Sequence, residues 1–301
     1  MRNGGAPPVA WREDRAGPRK CAVPGPNGRV PFAPGTAHRG TGQATRVVPL
    51  PSLGEQQPCL VLGEDTARGA QSADAVVGGT SLGREARAVA GSLAAGDLGA
   101  ARERLPHLCG RDSQALDGPG IARAVVESVA ENTSDAVVGA LVWGAIGGVP
   151  GLLGFRAVNT LDAMVGHRSP RYRRYGWASA RLDDLAGWPG ARLTAALATV
   201  AGGDPRGAAR AWRRDAAKHP SPNAGPVEAA FAGALGVRLG GTLSYGGRVE
   251  HRPVLNGDGG RAVRTADIER AVRLSARVGV LALAVCAGGR LAAGALRRRR
   301  A

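Results

Sequence analysis

The chain has 301 residues, enough for one large domain or two ordinary ones, with 44% apolar residues, 4% aromatic residues and a formal net charge of +16. Its four cysteines, Cys21, Cys59, Cys109 and Cys286, form no C-x-x-C pair, which argues against a zinc knuckle or a disulfide framework. The charge first suggests nucleic-acid binding, but no zinc-finger spacing, RNP motif or helix-turn-helix accompanies it, and the cations are nearly all Arg, in the manner of loops that flank membrane segments.

Residues 1–75 hold ten of the 20 prolines and keep neither a helical nor a strand period, the composition of a disordered segment. They contain no apolar core of signal-peptide length. From Val76 the texture changes. Thr80 or Ser81 can cap a helix whose apolar positions are Ala86, Val89, Ala90 and Leu93. Gly96-Asp97 breaks it, and a second short helix runs to Leu105. Pro119 opens a helix through Ile121, Val125 and Val129 that carries Glu127 and Glu131 one turn apart. An uncharged run from Ala136 to Phe155 follows, long enough to cross a bilayer, though Gly147, Gly148 and Pro150 interrupt it. "ARLTAALATVAGG" from Ala191 is too short to span alone and either extends back through Trp188 or forms a re-entrant or interfacial helix. "VEAAFAGALGVRLGG" from Val227 reads as an amphipathic helix. "VGVLALAVCAGG" from Val278 is apolar, is broken at Arg290 and closes in Arg297–Arg300, an anchor for a terminal membrane helix. Strand signals are nearly absent. The expectation is all-α: a polytopic membrane helical bundle with polar loops over residues 76–301, preceded by a disordered segment over 1–75.

Four polar clusters stand out from the Ala/Gly background. One runs from Arg111 and Asp112 to Glu127, Glu131, Asn132 and Asp135. A second holds Arg156, Asn159 and Asp162 at three-residue steps, then Arg181, Asp183 and Asp184. A third is "RDAAKHPSPNAG", with Asp215, Lys218, His219, Ser221 and Asn223. The fourth is the Gly-rich surround of Tyr245. Carboxylates beside amides suit a hard cation such as Mg²⁺, and clustered Arg and Lys suit phosphates. Each group also has a plain reading. Glu127 and Glu131 can pair with Arg123 along the helix, Asp183-Asp184 can be a solvated face, and "HPSPNAG" can be an ordinary loop rather than a turn presenting N–H groups to an anion. Ionisable groups at the ends of apolar runs tilt the balance toward function. There is no Walker A motif and no G-x-G-x-x-G with a following acid.

"GRD" at Gly110–Asp112, "VESVAENTSD" from Val126, "RAVNTLDAMVGHR" from Arg156, "YGWASARLDD" from Tyr175, "RDAAKHPSPNAG" from Arg214 and "AGALGVRLGG" from Ala232 resemble, in order and spacing, the CobD/CbiB family of cobalamin biosynthesis. The resemblance covers residues 76 to 296. It implies a multi-pass inner-membrane adenosylcobinamide-phosphate synthase, which joins adenosylcobyric acid to (R)-1-amino-2-propanol or its O-phosphate with ATP and Mg²⁺ and holds no tightly bound cofactor. Its partners would be the corrinoid, the amine and membrane lipid, with no nucleic acid. On that resemblance the candidate catalytic residues are Glu127, Asp135, Asp162, Asp183 and Asp184, with Asp183 and Asp184 as metal ligands. Arg111, Arg156, Asn159, Arg181, Lys218, Ser221 and Asn223 are the candidates for binding substrate or phosphate.

The family begins with a membrane helix that residues 1–75 do not resemble. The expectation there is an out-of-frame or misassigned segment, and a chain truly lacking that helix would have its activity compromised. The competing functions are a non-catalytic membrane scaffold or transport component that handles corrinoids, and a soluble basic nucleic-acid binder.

Overall fold

The computed structural model describes residues 73–110, 112–166, 175–245 and 248–300. The expectation for residues 1–75 concerns positions that lie, but for the last three, outside this set. Among the described residues, eight α-helices and one hairpin follow in order: α1 (Ala73–Ala94), α2 (Leu98–Arg104), α3 (Gly118–Asn132), α4 (Gly139–Val165), α5 (Tyr175–Ala201), α6 (Pro205–Asp215), α7 (Ala224–Leu235), β1 (Leu239–Tyr245), β2 (Arg248–Leu255) and α8 (Thr265–Arg300). A six-residue π-helical segment, Thr133–Val138, joins α3 to α4 without a loop.

Local chemistry sets most of the helix ends. The Asp97 carboxylate accepts the Ala100 N–H at 2.9 Å and caps α2. Asp117 accepts the Gly120 N–H at 2.8 Å and caps α3, with Pro119 in the first turn. Thr80 and Ser81, expected as caps, lie inside α1, because the helix already begins at Ala73. Leu82, Ala86 and Val89 form its buried stripe.

Helix α7 departs from the expected amphipathic pattern, since all twelve of its residues are buried. It is the central rod of the fold, and its small side chains let neighbours approach at backbone distance. Gly233 lies against the Gly207 backbone of α6, and Ala234 against Gly202. Phe231 is the largest of the fully buried side chains.

The all-α expectation is corrected by the antiparallel pair β1–β2. Leu239 and Leu255 face each other across it and are wholly buried. A bulge follows at Gly240 and Gly241, both at positive φ (79° and 87°). Two glycines in that conformation remove the apolar alternation by which a strand is read from sequence.

Asp215, at the end of α6, ties this hairpin to the helices. Its carboxylate is 1% exposed and accepts from Arg214 at 2.9 Å, from Lys218 at 2.8 Å and from the Asn256 N–H at 2.8 Å. Burial pushes its pKa up, but the hydrogen bonds from Arg214, Lys218 and Asn256 outweigh burial and bring it to about 2. A carboxylate held below its unfolded value stabilises the fold above about pH 4, and that stability is lost as the pH falls toward 2. Asp215→Asn should therefore lower the melting temperature at pH 7 and flatten its decline between pH 4 and 2. A decline as steep as that of the parent protein would remove Asp215 from the acid transition.

Among the described residues, two stretches are long and apolar enough to cross a membrane: 118–165 taken as one, and 265–300. The first is not a straight rod. Gly148 sits at φ 62° and ψ −149°, a region open essentially only to glycine, and Pro150 removes the next helical donor. Residues 143 and 151 would be about 12 Å apart in a continuous helix. Here the Gly151 α-carbon lies so close to the Trp143 carbonyl oxygen that a methyl group on it would overlap that atom, and Phe155 presses on Gly139 in the same way. The uncharged run is thus a helical hairpin, with arms on either side of Gly147-Gly148. Ala140, Leu152, Phe155 and Ala186 of α5 form its core, while Ile146, Val149 and Leu153 are exposed at and near its tip.

Helix α8 continues past Arg290 without a break. The Arg290 guanidinium donates at 3.0 Å to the Ala145 carbonyl, one of the groups left without a helical partner where the first arm ends. The N-terminal half of α8 buries Ile268, Ala271, Val272 and Leu274, whereas Val280, Leu281, Leu283, Val285, Leu291 and Leu296 are exposed.

Candidate active site

Because the apolar run doubles back, the polar residues on its two sides meet. Glu131 and Asp135 precede it, and Asn159 and Asp162 follow it on the return arm. Asp183 joins them from α5, where its Oδ1 accepts Asn159 Nδ2 at 3.2 Å. Burial raises the Asp183 pKa, the Asn159 hydrogen bond opposes the rise, and the negative charges of Asp162, Asp184 and Glu131 reinforce it, leaving the group at about 6. Asp135 feels the charges of Glu131, Asp183 and Asp162. Acids from four consecutive elements thus share one electrostatic environment.

The π-helical segment helps to place them. Thr133 turns its hydroxyl to the Val129 carbonyl at 2.6 Å and to Ser275 Oγ of α8 at 2.6 Å. Extra residues wound into a helix in this way re-aim the side chains that follow, and such bulges recur at functional sites. The same contact sets the level of the cluster. Ser275 lies beside the exposed Arg273 and Arg277, just before the exposed apolar stretch of α8 begins at Val280. Arg277 and Arg297 are 20 residues apart, about 30 Å along a helix, which matches the hydrocarbon thickness of a bilayer. The carboxylates sit where charge gives way to apolar surface.

Arg156 is one turn before Asn159, and Arg181 one turn before Asp184. Neither has a carboxylate partner among the described residues, and the Arg181 guanidinium lies 5.9 Å from the centre of the exposed Trp177 ring. The remaining candidates lie elsewhere. Glu127 is buried and accepts the Gly240 N–H at 2.6 Å, so it anchors the β hairpin together with Arg123, which donates to the Thr242 carbonyl at 3.0 Å. Lys218 is engaged by Asp215. Ser221 Oγ accepts the N–H groups of Asn223 at 3.3 Å and Ala224 at 3.1 Å, which occupies donors that the anion-binding reading needed. Asn223 is buried, donates to the Asp184 carbonyl at 2.9 Å and accepts from Arg192 at 2.9 Å. Arg111 lies outside the described residues.

No three His, Cys, Asp or Glu side chains among the described residues converge as a ready metal cage. That arrangement still fits Mg²⁺, which takes one or two protein carboxylates and fills its other positions with water and substrate phosphate. Sequence reasoning missed Arg192, which lies in a stretch taken only for its apolarity. The available signal was Trp188 one turn earlier, over whose ring centre the Arg192 guanidinium lies at 4.7 Å.

Asp162 offers a direct test of this electrostatic environment. Its negative charge raises the Asp183 pKa, so Asp162→Asn should lower the pH at which the Asp183 carboxyl titrates below about 6, as read by difference infrared spectroscopy. An unmoved titration would mean that the two carboxylates do not interact.

Comparison with known proteins covers most of the chain. The sequence model of the CobD/Cbib protein family matches residues 62–275, so the match begins ahead of residue 76. The cobalamin biosynthesis protein CobD of Mycobacterium tuberculosis is 59% identical over 217 residues, 70% of this chain and 69% of that protein. Its namesake in Rhodobacter capsulatus is 50% identical over 190 residues, 63% of this chain and 60% of that protein. The protein of the same name in Rhizobium meliloti is 48% identical over 199 residues, 64% and 61% of the two chains. No solved structure matches. With the family model spanning most of its length and these relatives sharing about half or more of their aligned residues, the chain belongs to the CobD/Cbib family of cobalamin biosynthesis proteins.

Proposed function

We propose that the protein is the ATP- and Mg²⁺-dependent ligase that joins a propionate carboxylate of adenosylcobyric acid to (R)-1-amino-2-propanol or its O-phosphate, giving adenosylcobinamide or its phosphate, at a membrane surface. One observation supports this reading: Glu131, Asp135, Asp162 and Asp183 lie close enough to feel one another's charge, and Asn159 donates to Asp183, at the base of an apolar helical hairpin. Family membership supplies the pathway.

In this reading the corrin carboxylate attacks the terminal phosphorus of ATP, ADP leaves, and the acyl phosphate is attacked by the amine with loss of inorganic phosphate. Asp135 and Asp162 would hold Mg²⁺, which supplies charge neutralisation at the phosphates when bound. Arg156 and Arg181 bind anionic oxygens. The amine arrives as an ammonium and must shed a proton before it attacks. Asp183, at about 6, is ionised at neutral pH yet basic enough to accept that proton, and Asn159 orients it by holding Oδ1.

The test is conversion of adenosylcobyric acid and the amine to the amide by purified protein, assayed with and without ATP and Mg²⁺. A scaffold or transport component would make no product under any of these conditions, and that result would overturn the proposal.

A further inference from the structure

A hollow of about 420 Å³ lies between α5, α6 and the turn leading into α7, walled by Arg192, Trp212, Ala217, His219, Pro220 and Pro222. Its volume is that of a small-molecule site, and its walls are mostly apolar with a single full cation. That cation is out of balance. Arg192 is half-buried, and burial lowers its pKa. It is held by two neutral groups, the Asn223 amide oxygen at 2.9 Å and the Trp188 ring at 4.7 Å. Among the described residues no carboxylate pairs with it. A partly desolvated guanidinium normally has an anionic partner, and its planar fork matches phosphate oxygens. His219 is already engaged: its Nδ1 accepts the Ser221 N–H at 3.1 Å, and its Nε2 lies 3.8 Å from Glu228. Arg192 is therefore the group in the hollow with donors to offer an anion. Asn223 connects the hollow to the carboxylate cluster, because its amide reaches the Asp184 carbonyl at 2.9 Å.

We propose that Arg192 anchors a phosphate-ester subsite in this hollow, adjoining the carboxylate cluster. The proposal rests on the ligase reading for its choice of ligands. Two substrates carry the required chemistry, the O-phosphorylated amine and the nucleotide. Trp212 and the prolines offer apolar walls to whatever the phosphate is attached to.

The test measures binding directly on the full chain in detergent or nanodiscs, with four probes: inorganic phosphate, ATP, O-phospho-1-amino-2-propanol and the unphosphorylated amine. Two variants are compared with the parent, Arg192→Gln and Ala217→Phe. The latter fills the mouth of the hollow from an exposed position and leaves the arginine in place. Loss of a charge-assisted phosphate contact should weaken one of the two esters about 10- to 100-fold. Whichever ester weakens identifies the occupant, and the unphosphorylated amine should bind as before. Ala217→Phe should weaken the same ester, and it decides the matter if Arg192→Gln does not fold. Unchanged binding of both esters in a folded variant overturns the subsite, as does equal weakening of all four probes. Amide formation with unaltered KM values in both variants would remove the subsite and leave the ligase reading standing. Selective ester binding without amide formation would do the reverse.

Discussion

On the ligase reading proposed above, Asp183→Asn is expected to reduce amide formation by about 10²- to 10⁴-fold, the usual contribution of a general base, and to raise the melting temperature at pH 8. The two effects have one cause. Asp183 is pushed up to about 6 by burial and by Asp162, Asp184 and Glu131, against the Asn159 hydrogen bond. A carboxyl raised above its unfolded value binds its proton more tightly in the folded state. The stability it contributes is fully present below about pH 4 and is lost as the pH rises through 6. At pH 8 the folded protein therefore carries a charge it would be more stable without. The neutral amide relieves that repulsion and can still meet Asn159. At pH 4 the variant and the parent should melt alike. Catalytic sites commonly retain such destabilising groups. A variant that turns over at the parental rate, or melts lower at pH 8, would exclude Asp183 from the role assigned to it. Lower activity with a lower melting temperature at every pH would make it a structural residue.

Gly151→Val should prevent accumulation of folded protein. The position has no room even for a methyl group, because the Trp143 carbonyl oxygen of the opposite arm occupies that space. The obstacle is backbone, so no side-chain rotation can clear it. Overpacking a core by a few carbon atoms costs about 1–3 kcal/mol, and separating the two arms would add the loss of packing around Leu152 and Phe155. A loss of more than 3 kcal/mol is the expected order. Gly154, three residues along the same arm, is the control. Nothing lies within 4 Å of a carbon placed there, so Gly154→Ala should be neutral or stabilising by up to about 1 kcal/mol through its helix propensity. Protease resistance and thermal melting in detergent would rank the two variants. Equal tolerance of both substitutions would mean that the arms do not pack against each other.

Much of this architecture is legible in the sequence. Asp97 and Pro119 marked real helix ends, and the polar strings flanking the apolar run proved to be neighbours in space. The return of that run was signalled by Gly147, Gly148 and Pro150, but hydropathy counts residues without regard to their direction, so the run reads equally as one rod or as two arms. Glu127 shows the opposite limit. It sits one turn from Glu131 in the same string, yet it is buried against the Gly240 N–H, a partner 113 residues away that no local pattern announces. Lys218 and Ser221 were conspicuous for their chemistry, and that chemistry is spent holding Asp215 and the turn before α7. Arg192 escaped notice for the converse reason, since a single cation among Ala, Leu and Thr reads as an interruption.

The chain that enters the tip at Gly147-Gly148 leaves on the side from which it came. In a membrane the stretch would therefore contribute an even number of traversals, not one, and Asn159 would lie on the same side as Asp135. For a membrane-embedded chain, a topology diagram that counted this stretch as one crossing would place α5, α6, α7 and the β hairpin on the wrong side. Reporter fusions placed shortly before residue 131 and shortly after residue 201 should give the same sign.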